Sequence, residues 1–358
     1  MHRQADARDA TVLAVDVGGT NTSCAVVDVR GGFFRKTFER RYSTKAEPSL
    51  YEPLGRFMAE AGAAGVAGPG LLCVSGAGPV VGRRIALTNA PWGIDGDGLA
   101  DRLGLPTYVI NDFSAIAWGV LLLDPADPDE LVQLQAPGGA RVAPDPSGPV
   151  VVIGAGTGLG FGYALRDDGS VRVYPSEGGH VCLPVYDDES RAFSRWLEGR
   201  YGFAAGAEAG VSGQGISAIF EYLASSEPSP SEAVREALAA QADDRPALVS
   251  KAADDGDRLC LRAMDMFVRL YARVAADAAS VFMPSGGIYL AGGIAAKNLA
   301  RFTEGDRFMR GFGLGYRDHV RAIAARTPVF VVKDYAISIY GAANAAVHLA
   351  DGAGRPPC

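Results

Sequence analysis

Asp16, Asp112, Glu177, His180 and Glu208 are the side chains whose types and settings could do chemistry. Asp16 closes the apolar run TVLAVD just before VGGTN. A carboxylate is costly to bury there unless it meets a cation or a hydrogen-bond network. Mg²⁺, which takes one or two protein carboxylates and completes its shell with water and phosphate oxygens, suits one aspartate beside a glycine turn. The alternative is an aspartate that caps the turn through its own backbone. Asp112 follows Asn111 where the strand-like PTYVIN gives way to the helical spacing of FSAIAWGVLLL. At such a junction a carboxylate serves either as a general base with an amide neighbour or as a helix N-cap. SEGGHV adds Glu177 and His180, separated by two glycines that permit close ligand approach; taken in isolation, His180 reads as a hydrogen-bonded structural histidine. From its local pattern alone, Glu208 in AEAGVSGQG reads as a surface helix residue.

The glycines point to a ligand. In VVIGAGTGLGFGYAL (151–165), Gly154, Gly156, Gly158, Gly160 and Gly162 take alternate positions. A continuous strand would be bald on one face, so the spacing predicts strand, tight turn, strand, with glycines at positive φ and backbone N–H groups open to an anion. TVLAVDVGGTNTSCAVVD (11–28) has the same grammar, which suggests a duplication with one phosphate-gripping turn per half. A dinucleotide fingerprint needs glycine at the sixth position from Gly154, where Leu159 stands, and no Gly-Lys pair exists for a nucleotide P-loop. The remaining use is to wrap phosphates with backbone N–H groups and the hydroxyls of Thr20 and Thr157, the alternative being a pair of ordinary hairpins. GIYLAGGIAAKNL (287–299) supplies a third strand–glycine–helix junction.

The elements that must carry these residues are legible as α/β alternation. LLCVSGAGPVVGRRIALTN (71–89) predicts two strands around a Gly/Pro turn, and 106–123 predicts a strand running into a helix. Ser229-Pro230-Ser231-Glu232 predicts a capping box with proline at the first helical position, and 255–282 a long amphipathic helix. QAPGGARVAPDPSG (135–148) reads as an exposed loop. The 358 residues suffice for two domains, and a net charge of −7 without a basic run argues against a nucleic-acid surface. Five widely spaced cysteines with no CxxC pair indicate neither a zinc knuckle nor a disulfide framework, which fits a reducing cytoplasm. The charged start MHRQADARDA reads as a loose leader and GAGRPPC as a frayed tail, and no apolar run is long enough to span a membrane.

Taken together, LAVDVGGTN (13–21), LTNAPW (87–92), INDF (110–113), GAGTGLG (154–160), EGGHV (177–181), SGQG (212–215), LAGGI (290–294) and YGAANAA (340–346) resemble the bacterial glucokinase family. That family stands within the sugar kinases, actin-like proteins and chaperone ATPases. The resemblance implies two actin-like (ribonuclease H-like) α/β lobes around a central cleft, a small lobe of 1–111 plus 336–358 and a large lobe of 112–335. It implies phosphorylation of the glucose 6-hydroxyl by ATP with Mg²⁺, the first step of glycolysis, in a cytoplasmic homodimer. Asp112 would be the general base, and Asn111, Asp112, Glu177, His180 and Glu208 would bind the sugar. Gly18, Gly19, Thr20 and Asn21 would line one phosphate turn and Gly156, Thr157 and Gly158 the other. Gly292 and Gly293 would lie under the adenosine, and Asp16 would hold Mg²⁺ through water. The rival readings are a non-catalytic sugar sensor of the same fold and a kinase for another hexose or using polyphosphate. Fewer than a dozen residues precede the first strand, too few for a DNA-binding helix pair.

Overall fold

The computed structural model describes every residue except 1, 5–6, 88–89, 137, 168–169, 228–229, 242–243, 335 and 353–358. Thr88 and Asn89 of LTNAPW, Ser229, and nearly all of the expected tail therefore lie outside the described residues. Along the chain come β1 (His2–Arg3), β2 (Ala10–Val17), β3 (Asn21–Arg30), β4 (Phe33–Ser43), α1 (Tyr51–Ala63), β5 (Leu71–Gly76), β6 (Val80–Val81), β7 (Arg84–Ile85), β8 (Ile94–Asp95), α2 (Gly96–Leu103), β9 (Thr107–Asn111) and α3 (Asp112–Val120). There follow β10 (Leu131–Gln133), β11 (Val150–Ala155), β12 (Leu159–Asp167), β13 (Ser170–Ser176), α4 (Asp188–Tyr201), α5 (Gly213–Ala224), α6 (Glu232–Ala239), α7 (Arg245–Asp254) and α8 (Arg258–Phe282). The chain continues through β14 (Gly287–Ala291), α9 (Gly293–Lys297), α10 (Leu299–Thr303), α11 (Arg307–Phe312), α12 (Asp318–Ala324), β15 (Val329–Val332) and α13 (Ile337–Ala350).

Two six-stranded sheets run β1-β4-β3-β2-β5-β9 and β10-β15-β14-β11-β12-β13. Without the edge strands β1 and β10, each reads third, second, first, fourth, fifth in its own chain order. The first strand pairs parallel with the fourth in both, β2 with β5 and β11 with β14. The fourth pairs parallel with the fifth, β5 with β9 and β14 with β15. This shared order is the one a duplication with one glycine turn per half would leave.

By internal contacts the chain divides into two units: 1–130 with 162–175 and 334–358, and 131–161 with 176–333. Residues 112–130 and 162–175, assigned to the large lobe from sequence, cluster with the first unit. The cause is α3, which packs along α13. The two helices cross so closely that a Cβ on Gly341 would stand 1.8 Å from Ala115 O, and one on Gly119 would stand 2.3 Å from Ile337 O.

In the first unit, Val12, Leu13, Ala14 and Val15 are all buried, so β2 is a continuous apolar run rather than an alternating one. Leu54, Phe57 and Ala61, spaced to share one helical face of α1, join Leu13, Val15 and Val17 in one cluster, and α13 packs on β2 and β5. Each fully buried leucine or phenylalanine there contributes about 1.5–3 kcal/mol relative to exposure. The expected loose leader is instead tied down. His2 and Arg3 pair with Phe34 and Phe33, and the buried His2 ring lies 3.1 Å from the Glu130 carboxylate, 3.3 Å from Asp334 and edge-on to Tyr340.

In the second unit, the long amphipathic pattern forms α8, started by Asp257, which accepts from Leu259 N and Cys260 N. The capping expectation at 229–232 shifts: Ser231 is the cap of α6, accepting from Val234 N, and Pro230 precedes the helix. After β5 the expected second strand is broken into β6 and β7, which with β8 form a separate three-stranded sheet. Cys24, Cys73 and Cys260 are free and buried, and Cys182 is free and exposed. No helix among the described residues is long and apolar enough to cross a membrane.

Candidate functional site

Asp16, Asn111 and Asp112 stand at strand ends of the first unit, β2 and β9 flanking β5. Asn111, not Asp112, is the N-cap of α3: its Oδ1 accepts from Phe113 N at 2.8 Å and Ser114 N at 3.3 Å, while Nδ2 donates to Gly78 O at 3.1 Å. The Asn111 side chain also hydrogen-bonds the Asp112 carboxylate. Freed of capping, Asp112 is the first helical residue, with Oδ1 accepting from Phe113 N at 2.9 Å. Burial pushes its carboxyl from 3.8 up to about 6, and the Asp16 charge adds to the shift. The backbone and Asn111 hydrogen bonds oppose it and lose. A carboxylate with a pKa just below neutrality suits general-base work.

Asp16 is held by two side chains that sequence reasoning missed. Ser75 Oγ donates to Oδ1 at 2.9 Å and Ser338 Oγ to Oδ2 at 2.8 Å. Burial raises the Asp16 pKa, and the two serine hydrogen bonds pull it back only in part. The signal for Ser75 was a hydroxyl interrupting the apolar run LLCVSG level with Asp16 in the parallel register. Residues 18–21 form the first glycine turn, closed by Gly18 N donating to Asn21 O at 2.9 Å. Thr44, also missed, braces it through Thr44 Oγ1 to Gly18 O at 2.8 Å and Thr44 N to Thr20 O at 2.9 Å.

The second unit carries the other named residues. Its turn, 156–158, joins β11 to β12 as expected from strand–turn–strand spacing, and Gly156 N donates to Gly158 O at 2.8 Å. The expectation of positive φ in this turn and at Gly18 and Gly19 is not met: none of these glycines is in the left-handed region. At Gly158 the reason is close approach of a side chain, whereas a Cβ on Gly156 would meet open space. A Cβ on Gly158 would stand 2.5 Å from Glu208 Oε2, which accepts from Leu159 N at 2.8 Å. Glu208 is therefore no surface helix residue. It lies in a short 3₁₀ turn, half-buried, with its carbonyl accepting from Ser212 Oγ, the cap of α5. The same cap brings Gly213 N to Gly156 O at 2.8 Å, so 208–213 braces the turn at two points. Glu177 and His180 are exposed, their Oε2 and Nε2 atoms 3.6 Å apart. Gly292 precedes α9 at φ +88°, where a Cβ would stand 2.7 Å from Ala155 O, so the glycine junction at 292–293 lies against the end of β11.

Each unit thus sets a carboxylate beside a glycine turn: Asp16, at the end of the strand that leads into 18–21, and Glu208, against 156–158. Among the described residues no group of three or more His, Cys, Asp or Glu side chains is arranged to hold a metal. Asp16 offers a single carboxylate, which fits a cation that keeps most of its water.

Comparison with known proteins gives this arrangement a family. The glucokinase family model matches residues 13–349. The glucokinase of Nostoc sp. (strain PCC 7120) is 33% identical over 352 residues, covering 94% of this chain and 99% of its own. Among solved structures, the glucokinase from an Antarctic psychrotroph matches with a TM-score of 0.78 at 24% identity, covering 94% of this chain and 98% of its own. The ROK family glucokinase from Streptomyces griseus, solved with glucose and AMPPNP, matches with a TM-score of 0.63 at 22% identity, covering 94% and 99%. These neighbours carry the actin-like α/β fold expected from the sequence motifs. The chain belongs to the glucokinase family.

Proposed function

We propose that this protein transfers the γ-phosphoryl group of ATP to the 6-hydroxyl of D-glucose, giving glucose 6-phosphate and ADP, with Asp112 as the general base. The observation that carries the reading is Asp112 itself: a half-buried carboxylate at a strand–helix junction, relieved of capping by Asn111 and poised near neutrality. A sensor would have no use for such a base. The Streptomyces griseus relative, solved with glucose and a nonhydrolysable ATP analogue, supports the substrate pair.

In this reading Asp112 accepts the proton of the 6-hydroxyl as that oxygen attacks the γ-phosphorus and ADP leaves. Asn111, Glu177, His180 and Glu208 take the other sugar hydroxyls. A site built on such directed groups rejects analogues lacking them. The turns 18–21 and 156–158 offer backbone N–H groups to the phosphates, and Gly292 and Gly293 leave room for the adenosine. Mg²⁺ held through water by Asp16 would neutralise charge on the phosphates. The protein works as a cytoplasmic homodimer at the entry of glucose into glycolysis.

The test is ADP formation from Mg-ATP with glucose, mannose, fructose or N-acetylglucosamine. Strong stimulation by glucose is expected, and stimulation by no sugar would overturn the reading. Two further outcomes follow. Because only ionised Asp112 accepts a proton, kcat/KM for glucose should fall about tenfold per unit as pH drops below about 6, a profile steady-state rates would trace. A flat profile down to pH 5 would remove Asp112 as the base. Gly158→Ala puts a methyl group 2.5 Å from Glu208 Oε2 and forces the carboxylate aside, so glucose KM should rise about tenfold. An unchanged KM would take Glu208 out of the sugar site.

A further inference from the structure

We infer that Ser338 and Ser75 are positioning residues for phosphoryl transfer, fixing the Asp16 carboxylate so that its free acceptor positions face the water shell of the nucleotide's divalent cation. The inference rests on the kinase reading above. The terminal torsion of an aspartate is soft, so a strand-end carboxylate with no partners turns between several orientations. Here it has one partner on each oxygen, and the two come from different elements. Ser75 lies opposite Asp16 in the β2–β5 ladder, and its hydroxyl reaches both Asp16 Oδ1 at 2.9 Å and Val15 O at 3.2 Å. Ser338 is the second residue of α13, 322 positions further along the chain, and it donates to Oδ2 at 2.8 Å. The close crossing of α13 with α3 at Gly341 holds that helix in place.

An ionised carboxylate has about four acceptor positions. The serines take one on each oxygen and leave one on each, enough to accept from two waters of a hydrated cation. Groups that orient a metal-facing carboxylate typically change metal affinity by about 10–100-fold when removed. Ser338 should carry more of the effect, because Ser75 divides its hydroxyl between Asp16 and the backbone.

The experiment is calorimetric binding of ADP, once in Mg²⁺ and once in EDTA, to the wild-type chain, Ser338→Ala, Ser338→Thr and Ser75→Ala, with glucose binding alongside. Expected is a wild-type gain in ADP affinity from Mg²⁺ that drops about tenfold in Ser338→Ala, less in Ser75→Ala, and returns in Ser338→Thr. ADP affinity in EDTA and glucose affinity should stay at wild-type values. A Mg²⁺ gain in Ser338→Ala equal to wild type overturns the inference, and so does a parallel loss in EDTA and for glucose, which marks a merely structural serine. If Ser338→Ala does not fold, the near-isosteric Ser338→Cys, a weak donor, decides by the same comparison. A wild-type chain that shows no Mg²⁺ gain and no glucose-dependent ADP formation overturns the kinase reading together with this one; an unchanged variant in an active wild-type background overturns this one alone.

Discussion

Asp112→Asn is expected to lower kcat by about 10²–10⁴-fold while making the protein more stable at pH 8. The amide keeps the shape of the side chain but cannot accept the proton of an attacking hydroxyl, so the loss falls on turnover and glucose binding survives. The stability gain comes from the raised carboxyl. Below 3.8 both the folded and unfolded chains hold that proton and burial costs little. Between 3.8 and about 6 the unfolded chain releases it first, so folding loses support as pH rises through about 6. Above that, the wild-type chain bears the full cost of a half-buried charge beside Asp16, of order 1–2 kcal/mol once partial solvent access is allowed for. Asparagine escapes that cost, so melting should rise by a few degrees at pH 8 and much less at pH 5. Thermal melts at both pH values with parallel ADP-release assays give the answer. Wild-type turnover would show that the base lies elsewhere, and equal melting at pH 8 would show that the carboxylate is not under strain.

Gly341→Ala is expected to cost about 3 kcal/mol or more of stability. Its methyl group would fall 1.8 Å from Ala115 O and 2.6 Å from Gly119 N, which are backbone atoms of α3 that cannot swing aside. The helices would have to separate, and both bear on the site: α3 begins at Asp112, and α13 carries Ser338. Gly55→Ala and Gly62→Ala, in α1 with no atom within 4 Å of the added methyl group, should instead gain about 0.5–1 kcal/mol from helix propensity. Denaturant midpoints of the three variants separate the cases. A Gly341→Ala protein as stable as wild type would mean that the two helices are not held at this spacing.

The strand–turn–strand units, the helix after INDF and the long helix α8 were all legible, because hydrophobic period and glycine spacing are local signals. So were Asp16 and Asp112, since a carboxylate closing an apolar run stands out. Less legible was why the glycines are there. The sequence suggested positive φ, whereas a Cβ on Gly158 would displace the Glu208 carboxylate and one on Gly341 would meet the backbone of α3. Glu208 itself read as a surface residue until the fold brought it to Leu159 N.

By itself the amino-acid sequence determined the α/β alternation, the two glycine turns, the duplication they imply and the acidic side chains able to do chemistry. Those features depend on residue type and local spacing, the duplication on finding the same local pattern twice. Only the tertiary structure decided which hydroxyls serve the carboxylates, which residue caps α3 and what fills the space beside each glycine. Serines able to donate a hydrogen bond are scattered along the chain, and nothing local distinguishes Ser338 from the rest. Its partner lies 322 residues away and is selected by the packing of α13 on β2, a contact fixed by whole helix faces rather than by any motif around the serine.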